Sequence, residues 1–593
     1  MDNSSPQPKK TLLKRFSLKP VNRRARRIEK ATLRHAHRFV IQRLSNLRSI
    51  RRHIIGWLVL VILLIGLTTV QLGYDIGSVS TLKPISGGTY AAGIVDSVTT
   101  LNPLFATTQA ELSADKLIFS GLLEYDNQGV LQGDLTQSWQ INKTGTEYTV
   151  TLKPGLTWQD GQPLTAADVV ATVKTMQNPA VGALDEASWK GISVKALNPR
   201  QVVFDLPNPY APFASALTFA VLPRHIISKI APEDLRQSSF SSNPVGSGPF
   251  RFVNLKTIDV TAGKSALEFE AFNNYWDGPP QVARFSLYIY SQPEDLINGL
   301  KSHEINAASD VSSGDIKKLS SSEFNVTHAL LNSAVYSIFR TDSPILKDVS
   351  VRQALVQGLD RSYLQHQLGV QALDSPVIST QLPQATSVKQ SSYNENAAKS
   401  LLAAAGWKKG ASGYLEKNGQ PLELSLVTVN NDQYKKVVSI LKQQWSKLGI
   451  KLDVQIVDPE QVEELVLKPR AYDILVYELE LGGDPDSYAY WDSSQIVGAG
   501  LNLADYSSPL VDDALVTARI RSDPALRDAK YTTFAQQWVK DVPAISLYQA
   551  SLTYVTAKNV TALRNGEHLP TPIDRYTSVD RWTVQNELRN TTP

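Results

Sequence analysis

The histidines and paired acids are the residues whose types and spacing would first indicate chemistry in this sequence. Three of the eight histidines fall within the first 53 residues, and the other five are scattered without the H-x-x-x-H spacing of a metal site. Asp484 and Asp486 form a carboxylate pair, but a proline separates them, which is typical of a turn and its cap. The sequence contains no G-x-S-x-G motif, no phosphate-binding loop and no cysteine. It therefore predicts neither catalytic residues nor a metal or cofactor site.

The segment ELELGGDPDSYAYW, residues 478–491, concentrates side chains that can bind rather than react. A glutamate can pair with an ammonium group, and an aromatic ring can stack on a ligand. In an extended strand Glu478 and Glu480 share one face, and Leu481 takes the other. The segment is either an acidic turn or the wall of a pocket, and the elements around it decide between these interpretations.

Charge divides the chain into two unlike parts. Residues 1–53 carry sixteen Lys and Arg against two acidic residues, a net charge of +14, and this leaves 44 basic and 54 acidic residues, a net charge of −10, for residues 54–593. Because the basic charge sits in one tail, it does not indicate nucleic-acid binding. The tail either lies on the anionic inner leaflet of a membrane or serves only to orient the rest of the chain.

An uncharged apolar run from Ile54 to Leu72 follows the basic tail. About twenty apolar residues in a helix cross a hydrocarbon core of roughly 30 Å. A cleaved signal has a shorter leader and a shorter apolar core, so we predict an uncleaved single-pass anchor at residues 54–72. Since positive charge stays in the cytoplasm, the N-terminus is expected inside and the chain from about Tyr74 outside the cell membrane.

Short strand patterns alternate with amphipathic helix patterns after a Gly- and Ser-rich linker at residues 73–87. The segment 165–176 begins with Thr165 as an N-cap and places Val169, Val173 and Met176 on one helix face. We predict one helix in VRQALVQGLDRSYL, residues 351–364, and a long helix after residue 431 that ends at Gly449. A chain of 593 residues is too long to fold around a single hydrophobic core, so we expect two or more domains. The pattern predicts α/β domains.

Nine blocks of the sequence, in this order, resemble the family 5 extracellular solute-binding proteins, which are the dipeptide- and oligopeptide-binding proteins of ABC importers. The blocks are LNPLF (101–105), FSGLLEYD (119–126), LTWQDGQPLTAADVVATV (156–173), VGSGPFRF (245–252), FNNYWDGPP (272–280), LKDVSVRQALVQGLDR (346–361), SLLAAAGW (400–407), LKQQWSKLGIKLDV (441–454) and YDILVYELELGGDPDSYAYW (472–491). They span almost all of the chain from about residue 88 to 560.

This resemblance implies an α/β, type II periplasmic-binding-protein-like fold with two hinged lobes and an extra lobe, behind the N-terminal transmembrane helix. The solute-binding domain would be residues 88–593. Lobe one would comprise about 88–123, 222–335 and 548–593, the extra lobe about 124–221, and the far lobe about 336–547. The ligand would lie between lobe one and the far lobe.

The resemblance also implies that residues 478–491 are pocket wall. In peptide-binding members of the family an aspartate pairs with the α-ammonium of the ligand, and the corresponding position here holds Leu481. Glu478 and Glu480 are the neighbouring acids that could replace it. The remaining candidates in this segment are Gly482, Gly483, Asp484 and Trp491; Asp484 is expected to hold the loop rather than the ligand, and the tryptophan either stacks on a ligand or belongs to the core.

Three further candidates follow from the same resemblance. Arg340 stands where the family commonly has an asparagine, and it either clamps a carboxylate of the ligand or pairs with Asp342. Gln109 and Glu111 lie in the loop that would line the cleft from lobe one.

Together these features predict a membrane-anchored solute-binding protein that captures peptides or similar small polar solutes by hinge closure and delivers them to an ABC permease, without being an enzyme and without a cofactor. The alternative is a membrane-tethered ligand-sensing receptor, or a surface interaction module, that uses the same fold and whose basic tail contacts a partner inside the cell. Lipid would be contacted by residues 54–72 and by the tail.

Overall fold

The structure is a computed structural model, and it describes residues 51–382, 385–498 and 500–590. The chain divides into two compact units, one of residues 1–83 with 588–593 and one of residues 84–587. The predicted basic tail, residues 1–53, lies outside the described residues except for its last three.

The described residues form sixteen α-helices. They are α1 Arg51–Val79, α2 Gln109–Ile118, α3 Ala166–Met176, α4 Glu186–Trp189, α5 Phe213–Ala216, α6 Arg224–Ile227, α7 Ser239–Ser242, α8 Pro293–Lys301, α9 Ser313–Ile316, α10 Val349–Gln357, α11 Arg361–Leu368, α12 Glu395–Ala404, α13 Asp432–Ser446, α14 Tyr488–Trp491, α15 Pro509–Ile520 and α16 Pro524–Asp541.

Strands form the second set of elements. They are β1 Ser80–Ile85, β2 Thr89–Val95, β3 Leu123–Tyr125, β4 Leu131–Gly133, β5 Thr136–Ile141, β6 Glu147–Leu152, β7 Ser193–Asn198, β8 Gln201–Asp205, β9 Phe250–Asp259, β10 Lys264–Ala271, β11 Arg284–Tyr290, β12 Ala307–Ser309, β13 Phe324–Phe339, β14 Gln371–Ala372, β15 Lys408–Lys409, β16 Leu415–Lys417, β17 Gln420–Pro421, β18 Glu423–Val429, β19 Lys451–Val457, β20 Ile474–Glu480, β21 Ala544–Ala557, β22 His568–Leu569 and β23 Gln585–Asn590.

Helix α1 covers the region where the sequence predicts a membrane anchor. Its side chains are described for residues 55–71, and its large apolar side chains from Ile55 to Val70 are exposed. Among the residues so described, no helix is both long enough and apolar enough to cross a membrane.

A twelve-stranded sheet organises the larger unit. Its main strand order is β19-β18-β20-β13-β21-β12-β2-β11-β10-β9, with β14 and β22 added beside β21 and β13. We keep the predicted lobe bounds as names for the parts of the molecule. Strands β18, β19 and β20 belong to the far lobe, and β2, β9, β10, β11 and β12 belong to lobe one. Strand β13 pairs with β20 of the far lobe, β21 pairs with β12 of lobe one, and β13 and β21 pair with each other, so together these two strands connect the lobes.

The extra lobe contains an antiparallel four-stranded sheet in the order β5-β6-β8-β7. Helix α3 buries Val169, Val173 and Met176, the face that the sequence predicts. The predicted N-cap is present in a capping box, in which the Asp168 carboxylate accepts from the backbone N–H of Thr165 at 2.8 Å. One continuous hydrophobic core joins this lobe to lobe one.

The far lobe has a hydrophobic core on each side of its strands. Helix α13 connects the parallel strands β18 and β19 and buries Trp445, whose indole N–H donates to the Leu355 carbonyl at 3.0 Å. The other core contains Trp491, Trp538 and their neighbours. These packed layers hold the C-terminal end of β20, where the acidic segment begins.

The prediction of one helix at residues 351–364 is wrong in one respect, because two helices occupy this region. Helix α10 ends at Gln357, with Gly358 as its C-cap. Asp360 then caps α11, and its side chain accepts from the Tyr363 backbone N–H at 2.9 Å. A glycine followed by a capping residue ends one helix and begins the next.

Candidate functional site

Two antiparallel strands cross between lobe one and the far lobe. Residues 324–330 of β13 pair with β21 on the lobe-one side, and residues 334–338 pair with it on the far-lobe side. The register shifts between Leu330 and Ala334, where the Gln549 side chain donates to the Leu331 carbonyl at 2.8 Å. A break in the ladder at the crossing is a place where two strands can flex, and we refer to residues 331–333 as the hinge.

The loop after β20 is tied to this hinge. The Leu481 backbone N–H donates to the Asn332 carbonyl at 2.7 Å, and the Asn332 side-chain amide donates to the Gly482 carbonyl at 2.8 Å. Gln381 donates to the same carbonyl at 2.7 Å. Leu481 itself is buried, with 6% of its surface exposed. The position that the resemblance assigns to an amine-binding aspartate therefore holds a buried apolar side chain.

Two glycines of this loop have different roles. Gly482 has a φ of +64°, in the left-handed region that glycine adopts most easily, and nothing lies where a Cβ would be. Gly483 has no such space, because a Cβ there would overlap the ring of Tyr125 in the extra lobe. The loop and the extra lobe are thus in close contact.

Asp484 and Asp486 hold the same loop by ion pairs with helices of the far lobe. Asp484 pairs with Arg527 at 2.5 Å, and Asp486 pairs with Nε of Arg519 at 2.9 Å. Burial raises the pKa of Asp486, and the charge of Arg519 opposes that shift. Both carboxylates are engaged in ion pairs that stabilise the loop.

Glu478 and Glu480 line one cavity of about 880 Å³, as the strand periodicity predicts. The Glu478 carboxylate accepts from the hydroxyls of Ser333 at 2.5 Å and Tyr434 at 2.9 Å. The Glu480 carboxylate makes no hydrogen bond or ion pair with any described residue. Desolvation in the concave wall and the neighbouring Glu478 charge raise the pKa of Glu480. One carboxylate of this pair is therefore occupied, and the other is open.

The rest of this cavity is lined by far-lobe residues that combine polar and charged groups with apolar side chains. Asn430, Asn431, Tyr434 and Tyr477 line it, and Asn431 caps the N-terminus of α13. Lys468 also lines it and pairs with Glu463 at 3.2 Å. The cavity therefore offers hydrogen-bond groups of both kinds and charges of both signs.

The candidates from lobe one lie at the start of α2. Gln109 is its first residue, and its Oε1 is buried without a hydrogen-bond partner among the described residues. Glu111 is fully buried, and its carboxylate accepts from the backbone N–H groups of Thr99 at 2.7 Å and Thr107 at 2.9 Å. Burial acts to raise the pKa of Glu111, but these hydrogen bonds outweigh it and lower the pKa. The prediction that Gln109 and Glu111 lie in a loop is wrong, because both lie in the first turn of α2, and the Glu111 carboxylate holds the chain that precedes this helix.

Arg340 lies at the opposite end of β20 from the glutamates. Its backbone N–H donates to the Asp473 carbonyl at 2.9 Å, just before β20, whereas Glu480 ends that strand. Six residue steps of an extended strand separate these ends by about 20 Å. The Arg340 guanidinium pairs with Asp342 at 2.7 Å and with Asp505 at 3.2 Å. The structure does not bring Arg340 together with the two glutamates.

Trp491 belongs to the far-lobe core. It is 1% exposed and packs edge to face against Trp538, with ring centroids 5.4 Å apart, and against Tyr336, with centroids 6.1 Å apart. Its place is the interior of the lobe, which is the other role that the sequence left open for it.

His568 is a residue that sequence reasoning set aside as scattered. Its Nε2 lies 2.9 Å from the Thr380 hydroxyl of the far lobe, and its Nδ1 lies 3.3 Å from the Gln128 carbonyl of the extra lobe. Because these partners are distant in the sequence, no periodicity or spacing could have identified this contact. Among the residues that the structure describes, no group of three or more His, Asp or Glu is arranged to hold a metal ion.

Comparison with known proteins places this arrangement among binding proteins. The family model described as bacterial extracellular solute-binding proteins, family 5 (middle region), matches residues 130–497. The oligopeptide-binding protein AppA of Bacillus subtilis is 28% identical over 481 residues, which cover 79% of this chain and 87% of AppA.

Solved structures agree with the sequence comparison. The structure of Bacillus subtilis AppA in complex with a nonapeptide matches with a TM-score of 0.67 at 26% identity, over 84% of this chain and 99% of that chain. NikZ from Campylobacter jejuni in complex with Ni(L-His) matches with a TM-score of 0.68 at 27% identity, over the same shares of the two chains. The predicted mixed α/β fold of the periplasmic-binding-protein type is confirmed. Since the family model covers more than half of the sequence, this chain belongs to the bacterial extracellular solute-binding proteins, family 5.

Proposed function

We propose that this chain is the solute-binding protein of an ABC importer and that it captures a peptide, or a similar small polar solute, between lobe one and the far lobe. The solute is bound without covalent chemistry. The two crossing strands flex at residues 331–333, the lobes close over the solute, and the closed form delivers it to a permease.

The open carboxylate of Glu480 is the observation that carries this proposal. An ammonium group that leaves water needs a carboxylate partner, because a buried unpaired charge is costly. Leu481 cannot supply one, and the Glu478 carboxylate already accepts two hydroxyl hydrogen bonds. Glu480 lines the same cavity and is free to accept the ammonium group of the solute.

Other groups of the cavity wall suit the negative end of such a solute. The capped N-terminus of α13 favours an anion, and Lys468, which pairs with Glu463 and Glu464, is the cation that lines the cavity. A solute with a positive and a negative end, as in a peptide, would match this distribution. The nonapeptide bound to Bacillus subtilis AppA supports this class of solute.

The proposal is tested by recovering the natural solute. The chain is purified from cells without refolding, examined by native mass spectrometry, and then denatured so that any released compound is identified. A series of short peptides is the expected result. One defined non-peptide compound, such as a metal chelate, would reject the peptide assignment, and an empty protein would reject capture under these conditions.

A matched pair of variants tests the role of Glu480. Glu480→Gln removes the charge and keeps the shape, so the affinity for the recovered solute should fall at least about tenfold. Glu423→Gln is the control, because Glu423 belongs to the same lobe but lies outside the cavity and pairs with Lys451 at 2.8 Å. Equal affinities of wild type and Glu480→Gln would remove Glu480 from the site.

We also propose that residues 54–72 anchor the protein in the cell membrane, with the basic tail in the cytoplasm and the binding domain outside. The uncharged run and the +14 tail before it support this proposal. An anchor would keep the binding domain near its permease. Full-length chain should stay with the membrane pellet after alkaline carbonate extraction, and a protease added to intact cells should remove a C-terminal tag but not an N-terminal one. Release by carbonate would reject the anchor.

A further inference from the structure

A second cavity, of about 320 Å³, lies between lobe one and the extra lobe. It shares no lining residue with the cavity beside Glu478 and Glu480. Its volume is near the lower end of the range of roughly 300–1,000 Å³ that small-molecule sites occupy. Part of its wall is apolar and aromatic, formed by Leu112, Phe119, Met176 and Phe219. This part of the wall suits the apolar body of a ligand.

Another part of the wall of this cavity carries carboxyl groups. Asp115, on helix α2, lines it and is only 7% exposed. Its Oδ1 is buried and has no hydrogen-bond partner among the described residues. Burial, and then the charge of Glu111, raise the pKa of Asp115 well above its usual range. A carboxyl group that is both buried and unpartnered costs free energy unless something pairs with it.

Glu124 and Asp134 add to this acidic character from the extra lobe. Glu124 accepts one hydrogen bond, from the Gln132 side chain at 3.1 Å. Asp134 accepts from the Gly121 backbone N–H and from the Trp276 indole, each at 2.8 Å. Burial, followed by the charge of Asp134, raises the pKa of Glu124 to about 8, and burial raises the pKa of Asp134 to about 6.

The charges of Lys116 and Lys153 act to lower the pKa of Glu124 and Asp134, but they neutralise this group only in part. Lys116 lines the cavity, but its closest carboxylate partner is Asp574, at 3.6 Å. Lys153 donates to the Gly133 carbonyl at 3.0 Å and lies over the Trp276 ring, 3.0 Å from its centroid. The cavity therefore retains room for one more positive charge.

We propose that this cavity is a second binding site, for a small organic cation that has a primary ammonium group and an apolar or aromatic body. The ammonium group binds Asp115 and Glu124, and the body packs against Phe119 and Phe219. A bare metal ion fits less well, because the described residues contain no group of three or more His, Asp or Glu arranged to hold one. The site is independent of the solute site proposed above.

The acidity of the cavity gives this site a specific signature. A bound cation favours the charged form of neighbouring carboxyl groups and so lowers their pKa. Binding near neutral pH should therefore release protons from Glu124 and Asp115 to the solvent. A neutral ligand of the same shape would not cause this release.

Benzylamine is the probe for this proposal, and it is titrated into the full chain in detergent by isothermal calorimetry at pH 7. The titration is repeated in phosphate and in HEPES, whose ionisation enthalpies differ and neither of which has a primary ammonium group, so that proton release is measured directly. We expect saturable binding with proton release, and no binding of benzyl alcohol. The absence of benzylamine binding at millimolar concentration, or equal binding of the alcohol, would overturn the proposal.

Two variants locate the binding. Asp115→Asn should weaken benzylamine at least tenfold, and it should fold because an amide resembles the protonated acid. If Asp115→Asn does not fold, Glu124→Gln replaces it as the test and should weaken benzylamine binding at least threefold. Glu480→Gln, in the other cavity, should leave benzylamine binding unchanged. Unchanged binding in the folded Asp115 variant, or in its Glu124 replacement, or loss of binding in Glu480→Gln, would overturn the assignment.

Discussion

The imidazole of His568 and the side-chain amide of Asn332 meet at the hinge, with Nε2 of the histidine 2.5 Å from Oδ1 of the asparagine. The amide nitrogen of Asn332 donates to the Gly482 carbonyl, and this fixes the amide so that its oxygen faces the histidine. The same imidazole also contacts Thr380 and Gln128. One ring therefore joins lobe one, the far lobe, the extra lobe and the hinge.

Acid is expected to weaken this junction. Burial lowers the pKa of His568 below its ordinary value of 6.5, although its hydrogen bond with the Gln128 carbonyl opposes the shift. The unfolded chain takes up a proton on this histidine at a higher pH than the folded chain does. Its contribution to stability is therefore fully present above about pH 6.5 and falls as the pH drops through the folded pKa.

His568→Gln tests this prediction, because glutamine keeps hydrogen-bonding groups but does not titrate. The free energy of unfolding is measured with urea at pH 7.5 and pH 5.5. Wild type should lose more stability between these values than the variant does, by about 0.5–1 kcal/mol. His366→Gln, at an exposed histidine of helix α11, is the control and should show the same loss as wild type. The same loss in wild type and His568→Gln would contradict the prediction.

The sequence predicts the elements of this protein better than its contacts. The capping box at Thr165, the buried face of α3 and the shared face of Glu478 and Glu480 all follow from spacings of a few residues. The fold follows from the order of nine blocks. In each case the signal lies within one element or in the order of elements along the chain.

Contacts between distant segments leave no such signal. The partners His568 and Asn332 are 236 residues apart, so neither residue type nor spacing could join them. The resemblance places Glu111 in a loop that lines the cleft, but Glu111 lies in the first turn of α2, where its carboxylate accepts from four backbone N–H groups. The Arg340 guanidinium pairs with Asp505, another partner that is distant in the sequence. Tertiary packing decides which charged side chains remain free.

Glu111→Gln is expected to lower stability rather than to act first on binding. The amide cannot accept the four backbone hydrogen bonds that the carboxylate accepts, so the free energy of unfolding at pH 7 should fall by about 2–4 kcal/mol. Because the folded pKa of Glu111 is lowered, its contribution is present above its ordinary value of 4.5 and is lost in acid. Glu270→Gln is the exposed control. Weaker solute binding with unchanged stability would instead support the predicted ligand contact.

Alanine substitutions at Gly482 and Gly483 should separate backbone strain from lobe closure. Gly482→Ala places a residue at φ +64° in open space, and the expected loss of stability is about 1 kcal/mol with little change in solute affinity. Gly483→Ala places a Cβ against the Tyr125 ring of another lobe, so closure is opposed and solute affinity should fall about tenfold or more. Affinity is measured by calorimetry with the recovered solute. Equal affinity losses in the two variants would contradict a steric role for Gly483.

Arg519 forms the second contact between the extra lobe and the far lobe. Its guanidinium carbon lies 5.0 Å from the ring centroid of Tyr210 in the extra lobe and 4.1 Å from that of Tyr488 in the far lobe. Its carbonyl accepts from the Ala211 backbone N–H at 2.7 Å. With Asp486 holding its Nε, the side chain is fixed in a position that joins the two lobes.

Removal of this side chain is expected to speed solute release. Arg519→Ala loses both ring contacts and the ion pair, interactions worth about 1–3 kcal/mol in a partly buried setting, so the dissociation rate of the solute should rise about 5- to 100-fold. Arg519→Lys keeps the charge but not the planar stacking group, and it should lie between wild type and the alanine variant. The rates are measured by stopped-flow displacement of the recovered solute.

Arg251→Ala, which removes an exposed ion pair with Glu270, is the matched control and should leave the rate unchanged. If Arg519→Ala and Arg251→Ala released the solute at the same rate, the Tyr210 contact would have no role in holding the lobes closed.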